Sequence, residues 1–260
     1  MPEYRSIFAI FLFVCWSLIT VPGMANEPFY VADDMDAVPY ISLGSNQKPE
    51  GIFHDIIDAV MHHIGQPYRY EVFPWRRAQK LVKNLGADAL ITIPTQERLQ
   101  YLVASREPVF VMKYKMFTQE DNPQLEKIRN VKQLSDLKGL KILDYIGDGW
   151  AERNLRQYGV EWAPNLSAVC KKLANYRGDI FIQDEVMVLY TMQKLRRISP
   201  ETSKRFNKII AVDAPVEDVG FYLLIHKDSA HLNLLQAFDE TIRKMRETGE
   251  LDEIRNRWIH

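Results

Sequence analysis

Short apolar runs alternate with amphipathic stretches along most of the chain. The segments "PFYVADD" and "YRYEVFP" predict strands, and "YISLGSNQKPEGI" between them reads as a hairpin-like excursion. In "GIFHDIIDAVMHHIG" the residues Ile52, Ile56, Val60 and Ile64 fall on one stripe and Gly65 follows as a stop, which predicts a helix. A second helix, "WRRAQKLVKNLG", is expected to bury Ala78, Leu81, Val82 and Leu85, and "ADALITI" then supplies the next strand. A β-α-β-α-β order of this kind implies a parallel sheet with helices on its faces.

After "PVFVMKYKMFTQ" the pattern changes. "EDNPQLEKIRN" is polar and predicts a loop, "VKQLSDLKG" a short helix, and "LKILDYI" opens a new α/β series. That series continues with a helix from about 150 to 158 stopped by Gly159, a helix in "SAVCKKLANYRG", a strand in "DIFIQ" and a helix in "EVMVLYTMQKL". "VGFYLLIHK" is a late strand, "AHLNLLQAFDETIRKMRETG" a long helix and "ELDEIRNRWI" a terminal one. The two series share an order but no sequence repeat, so they read as two lobes. The expected division is 26–115 with 216–260 in lobe 1 and 116–215 in lobe 2, with crossings near 113–118 and 212–220.

Residues 1–25 fall outside this pattern. Arg5 precedes the apolar run "IFAIFLFVCW", and Gly23 and Ala25 offer small residues for cleavage after Ala25, the layout of a secretory signal peptide. The run is shorter than the ~20 apolar residues of a membrane span. The mature chain then keeps one cysteine, Cys170, so disulfides cannot carry its stability, and a bacterial periplasm is the expected compartment. Net charge is −1, with no basic run or aromatic-basic interleaving, which argues against nucleic-acid partners. His62 and His63 are adjacent on a predicted helix, about 100° apart, and so do not form a chelate; no metal site or cofactor is expected.

Six segments in order, "PEGIFHDIIDAV", "GADALITIPTQERLQY", "LKGLKILDYIGDG", "YRGDIFIQDE", "VGFYLLIHKDS" and "TGELDEIRNRW", resemble the bacterial extracellular solute-binding proteins of family 3. The resemblance covers essentially all of 26–260. It implies a type II periplasmic binding protein fold, in which each of two α/β lobes is a mostly parallel sheet flanked by helices and two crossing segments join them. It also implies a small-molecule ligand, delivery to an ABC permease in the inner membrane, and a monomer. Arg98 in "TQER" matches the Arg that holds an amino acid's α-carboxylate, a task suited to a planar guanidinium. The alternative for Arg98 is a surface pair with Glu97 or Glu107. Asp184 in "QDE" matches the family's ligand for the α-amino group, and it can equally cap the helix that follows. Thr92 and Thr95 can add hydroxyl donors, or end the strand and cap the turn that carries Arg98. Trp75 and Tyr40 lie near positions where the family builds aromatic walls; core packing is the default reading of both, and a wall is the better one only for Trp75, which follows Pro74 at a strand end.

One loop departs from the family pattern. Where a Gly followed by Ser or Thr is usual, this chain has Gly147, Asp148, Gly149 and Trp150, and Pro94 interrupts the run before Arg98. Asp148 beside a ligand carboxylate would repel it, unless it turns inward as an N-cap, and Trp150 can narrow the cleft or stack on a ligand. This leaves room for a cationic or modified ligand. Two further functions stay open: an enzyme on the same scaffold resembling cyclohexadienyl dehydratase, with Asp148 or Glu185 recruited for proton transfer, and a receptor that signals without transport.

Overall fold

The computed structural model describes residues 27–198 and 200–259, so the expected signal peptide lies outside the described residues. The chain begins with β1 (Phe29–Asp34), the short strands β2 (Asp36–Ala37), β3 (Ile41–Leu43) and β4 (Pro49–Glu50), and helix α1 (Ile52–Ile64). It continues through β5 (Tyr68–Phe73), α2 (Trp75–Lys83), β6 (Ala89–Thr92), β7 (Leu102–Ala104) and β8 (Phe110–Met112). The second series holds β9 (Tyr114–Gln119), α3 (Leu125–Arg129), β10 (Ile142–Tyr145), α4 (Gly149–Asn154), β11 (Glu161–Ala163), α5 (Leu166–Ala174), β12 (Ile180–Asp184), α6 (Glu185–Arg196), α7 (Pro200–Phe206) and β13 (Ile209–Asp213). The chain closes with β14 (Val219–His226), α8 (Leu234–Thr248) and α9 (Glu250–Ile259).

These strands build two large sheets. The first runs β5-β1-β6-β14-β7, with β8 also on β14. Its β1, β5 and β6 are parallel, while β14 returns antiparallel to β6 with Tyr222 opposite Thr92. The second sheet runs β11-β10-β12-β9-β13; β10, β11 and β12 are parallel, and β9 and β13 antiparallel. The parallel part of each sheet is the part built by β-α-β crossovers. The strands β2, β3 and β4 form the hairpin-like excursion as a separate small sheet.

Helix periodicity explains the packing. The α1 stripe Ile52, Ile56 and Val60 is buried against Phe29, Val31 and Ile225, and α8 adds Phe238 and Ile242 on the same side. On the opposite face Val82 packs with Ala32, Leu90 and Leu224. Leu85 does not join them: α2 ends at Lys83, and Leu85 takes a left-handed conformation at φ 56° and is exposed. The chain leaves the helix before a further turn could carry that side chain inward. In the second sheet Phe117, Leu143 and Phe181 face α5 and α6, while Met116, Ile142, Ile180 and Ile182 face the side of α4. The polar stretch 120–130 is not wholly a loop, because Ile128 is fully buried and holds the short helix α3 in place. Cys170 is a core residue of α5, and burial pushes its thiol up to about 12, so it is unreactive.

The second lobe is anchored to the first through α6. Val186 lies within the first lobe's core, Met187, Leu189 and Tyr190 pack against it, and the Tyr190 ring lies 6.5 Å from that of Trp258 in α9.

Gly51 makes the join between the small sheet and α1 possible. Its φ is 140°, and a Cβ there would lie 2.4 Å from the Tyr40 carbonyl oxygen. Gly51→Ala combines backbone strain with overlap against main chain that cannot swing away, and is expected to cost roughly 2–4 kcal/mol. Urea unfolding of the variant beside the unaltered protein checks it; an unchanged midpoint would refute the reading.

Candidate functional site

In open α/β sheets ligands bind outside the carboxyl ends of the strands. In the first sheet these ends are Asp34, Phe73 and Thr92, and in the second Tyr145 and Asp184. Each lobe therefore offers one edge with its own chemistry.

The first lobe offers a cation. Thr92 ends β6 and is buried. Thr95 Oγ1 accepts from the Arg98 amide at 3.3 Å, at the start of the one-turn helix Arg98–Gln100, whose N-cap position is Glu97. The guanidinium of Arg98 donates from Nη1 to the Ile93 carbonyl at 2.8 Å and from Nη2 to Gln79 Oε1 at 3.4 Å. Its carbon sits 5.4 Å from the centre of the Trp75 ring, on the first turn of α2. Glu107 is taken by Arg243 and Arg246, at 3.3 and 2.6 Å, and among the described residues Arg98 makes no ion pair. A guanidinium carries five N–H donors, so this one is oriented and still has three to offer.

The second lobe offers acids. Asp184 is fully buried at the end of β12. Its Oδ1 accepts from the Met187 amide at 2.7 Å, the helix cap of α6, and from the Tyr40 hydroxyl at 2.5 Å. Its Oδ2 is buried with no partner. Desolvation raises its pKa to about 6, against hydrogen bonds from Tyr40 and from the Met187 and Val186 amides that hold it down. Tyr40 is itself a core residue, ringed by Phe53, Phe110 and Phe221. From that core it presents its hydroxyl to Asp184.

Asp148 turns inward as the N-cap of α4. Its Oδ1 accepts from the Trp150 and Ala151 amides at 2.9 Å each, and its Oδ2 from Gln183 Nε2 at 2.5 Å. Gly149 opens α4 beside it, where a Cβ would lie 3.2 Å from Arg153 Nη1. Trp150 lies over Tyr114, with ring centroids 5.3 Å apart.

The structure adds Asp144, Gln183 and Tyr114 to this edge. Asp144 is fully buried on β10; its Oδ1 accepts from the Tyr145 amide at 2.7 Å, and its Oδ2 has no partner. Burial pushes its pKa up to about 8, and the charge of Asp148 adds to the shift. An Asp inside the otherwise apolar run "LKILDYI", at an inward-facing position, is the sequence signal that marks it. A further buried carboxyl, Asp33 on β1, accepts from the Tyr70 hydroxyl at 2.7 Å and is raised to about 7 by burial.

The family model for "Bacterial extracellular solute-binding proteins, family 3" matches residues 29–260. The chain belongs to this family of solute-binding proteins. Solved structures agree with the fold. The substrate-binding protein of a polar amino acid ABC uptake transporter from Streptococcus thermophilus is 16% identical, covers 89% of this chain and 86% of its own, and has a TM-score of 0.71. An L-cystine solute receptor of Neisseria gonorrhoeae in the unliganded open conformation is 20% identical over 90% and 94% of the two chains, with a TM-score of 0.69. A histidine kinase sensor domain similar to periplasmic binding proteins is 19% identical over 90% and 96%, with a TM-score of 0.55. No curated protein matches in sequence. Like these neighbours, this solute-binding protein is a type II periplasmic binding fold of two lobes.

The raised carboxyls set the pH response of this solute-binding protein. Asp184, Asp33 and Asp144 hold protons in the folded state up to about pH 6, 7 and 8, against an ordinary value of 3.8. The folded state thus binds more protons than the unfolded one across that window, and the stability they confer is lost as pH rises from about 4 through 8. The melting temperature of the ligand-free protein is expected to fall by several degrees between about pH 5 and pH 8.5, and Asp144→Asn to reduce that fall. Calorimetric melts across the range test this, and a flat or rising trend would refute it.

Proposed function

We propose that this protein captures an amino acid, or a similar small molecule carrying an amine and a carboxylate, in the periplasm and delivers it to an ABC permease. The observation that carries the reading is Arg98: a guanidinium oriented by Ile93, Gln79 and Trp75 that makes no ion pair among the described residues. A bidentate ligand carboxylate would complete it. On the second lobe the uncommitted oxygen of Asp184 would receive the ligand's ammonium group. Burying either charge alone is costly, so a zwitterion that satisfies both ends favours closure of the lobes over a ligand that satisfies one. Thr92 and Thr95 stand beside the carboxylate, and Trp75 flanks it. The protein works as a monomer, and no covalent step or cofactor is involved.

The sensor-domain neighbour supports a second reading, in which the same closed form signals to a membrane receptor. Uptake of the ligand by vesicles carrying the permease, dependent on added binding protein, separates transport from sensing.

Thermal shifts against a panel of amino acids, amines and dicarboxylates test the main reading. A ligand at a thousandfold its Kd adds about 4 kcal/mol, a shift on the order of 10 °C for a chain of this size. Arg98→Ala is expected to abolish the shift, and Arg98→Lys to restore little of it. Prephenate and arogenate are expected to be left intact. A flat panel, or turnover of either compound, would overturn the assignment.

A further inference from the structure

On β10 and β12 the residues on the α4 side are Ile142 and Asp144, and Ile180 and Ile182. The isoleucines pack with Met116, Ala151 and Leu155 as an ordinary core. The pairing of Leu143 with Phe181 puts Asp144 level with Ile182, two residues before Asp184 at the strand end. Asp144 stands where the pattern asks for an apolar side chain. A buried carboxyl normally keeps its place through a cationic partner or a full set of donors. Here the chain supplies one backbone amide to Oδ1 and nothing to Oδ2.

Its surroundings are those of a cation site. The charge that acts on Asp144 is an acid, Asp148 on the loop before α4. The Tyr114 hydroxyl on β9 feels the carboxyls of Asp148, Asp184 and Asp144 and makes no hydrogen bond among the described residues. The Tyr114 and Trp150 rings, inclined at 33°, pack on the same cluster as Ile142, Ile180 and Ile182, and both are partly exposed. Arg153 on α4 also acts on Tyr114, and among the described residues it forms no ion pair.

We propose that Asp144, with the Tyr114 and Trp150 rings, is a subsite for a second cationic group of the ligand, which is therefore a diamino or guanidino carboxylic acid. The inference rests on the reading of Arg98 and Asp184 as the clamp for the ligand's carboxylate and first amine. An ammonium or guanidinium entering here gains a carboxylate oxygen and the faces of two aromatic rings. A neutral side chain of the same length leaves that oxygen unpaired. Because burial keeps the Asp144 carboxyl protonated near pH 7, a cation bound to it expels that proton to solvent, whereas a neutral side chain does not.

Lysine and norleucine share a carbon chain and differ in the ε-ammonium. Isothermal calorimetry at about pH 7, in two buffers of different ionisation enthalpy, gives the affinity and the protons released for each. Lysine is expected to bind about 10- to 100-fold more tightly, the value of a charge-assisted hydrogen bond. It is also expected to release up to about one proton more than norleucine. Asp144→Asn should close both gaps. The proton difference is read on the unaltered protein, so the test stands even if that variant fails to fold. Norleucine binding as well as lysine, with equal proton release and with both lost in Arg98→Ala, would overturn the subsite and leave the amino-acid reading intact. Failure of every amino acid to bind would overturn both.

Discussion

The Asp184 carboxyl is where the two halves of the molecule meet. One oxygen takes the hydroxyl of Tyr40, from the first lobe, and the amide of Met187, from the first turn of α6. Neither donor can be withdrawn cheaply, since a buried acceptor stripped of its donors costs about 1–3 kcal/mol each time. Tyr40 is fixed by three phenylalanine rings, and α6 by its packing on the first lobe's core. The end of β12 is thus tied to both lobes.

The two sides of the cleft are short of opposite things. The first lobe holds a guanidinium with donors to spare, while the second holds two buried carboxyls with an acceptor each to spare. Within one lobe these deficits cannot cancel, because the acids have no cation among their own contacts. They match the charge pattern of the ligand proposed above, anionic toward the first lobe and cationic toward the second. Burial disfavours the charged form of these carboxyls, which is why their pKa values rise. Raised pKa values also mark functional sites in general, but here the geometry makes the case and the protonation follows from it.

Much of this architecture was legible along the chain. The α1 stripe, the strand ends and the "TQER" turn follow from local periodicity, which reports burial one element at a time. Leu85 failed because its inward position required one more turn of α2 than the backbone takes. The polar run 120–130 hid α3, since one buried Ile128 sets it and a single residue has no period. Arg98 stands out in the sequence, but the pairing of Glu107 with Arg243 and Arg246 of α8, far along the chain, leaves no local trace. The Tyr40 hydroxyl on Asp184 spans 144 residues and leaves no local trace. Asp144 did leave one, a single charge in an apolar strand, and reading that run only as apolar passed over it.

Asp148 shows how position decides what a charge does. As a free carboxylate in the cleft it would repel a ligand's carboxylate, and the loop around it departs from the family pattern in a way that suggests this. In the folded chain both of its oxygens are occupied, by two amides of α4 and by Gln183, so its charge is spread into the protein's own donors. What remains of its field acts on Asp144 and Tyr114, which lie on the same side of the sheet. The repulsion is therefore directed at the part of the cleft where the proposed ligand carries positive charge, while its carboxylate lies against Arg98 in the other lobe. On the proposed reading, an acid that seemed to count against amino-acid binding instead sets which end of the ligand faces which lobe.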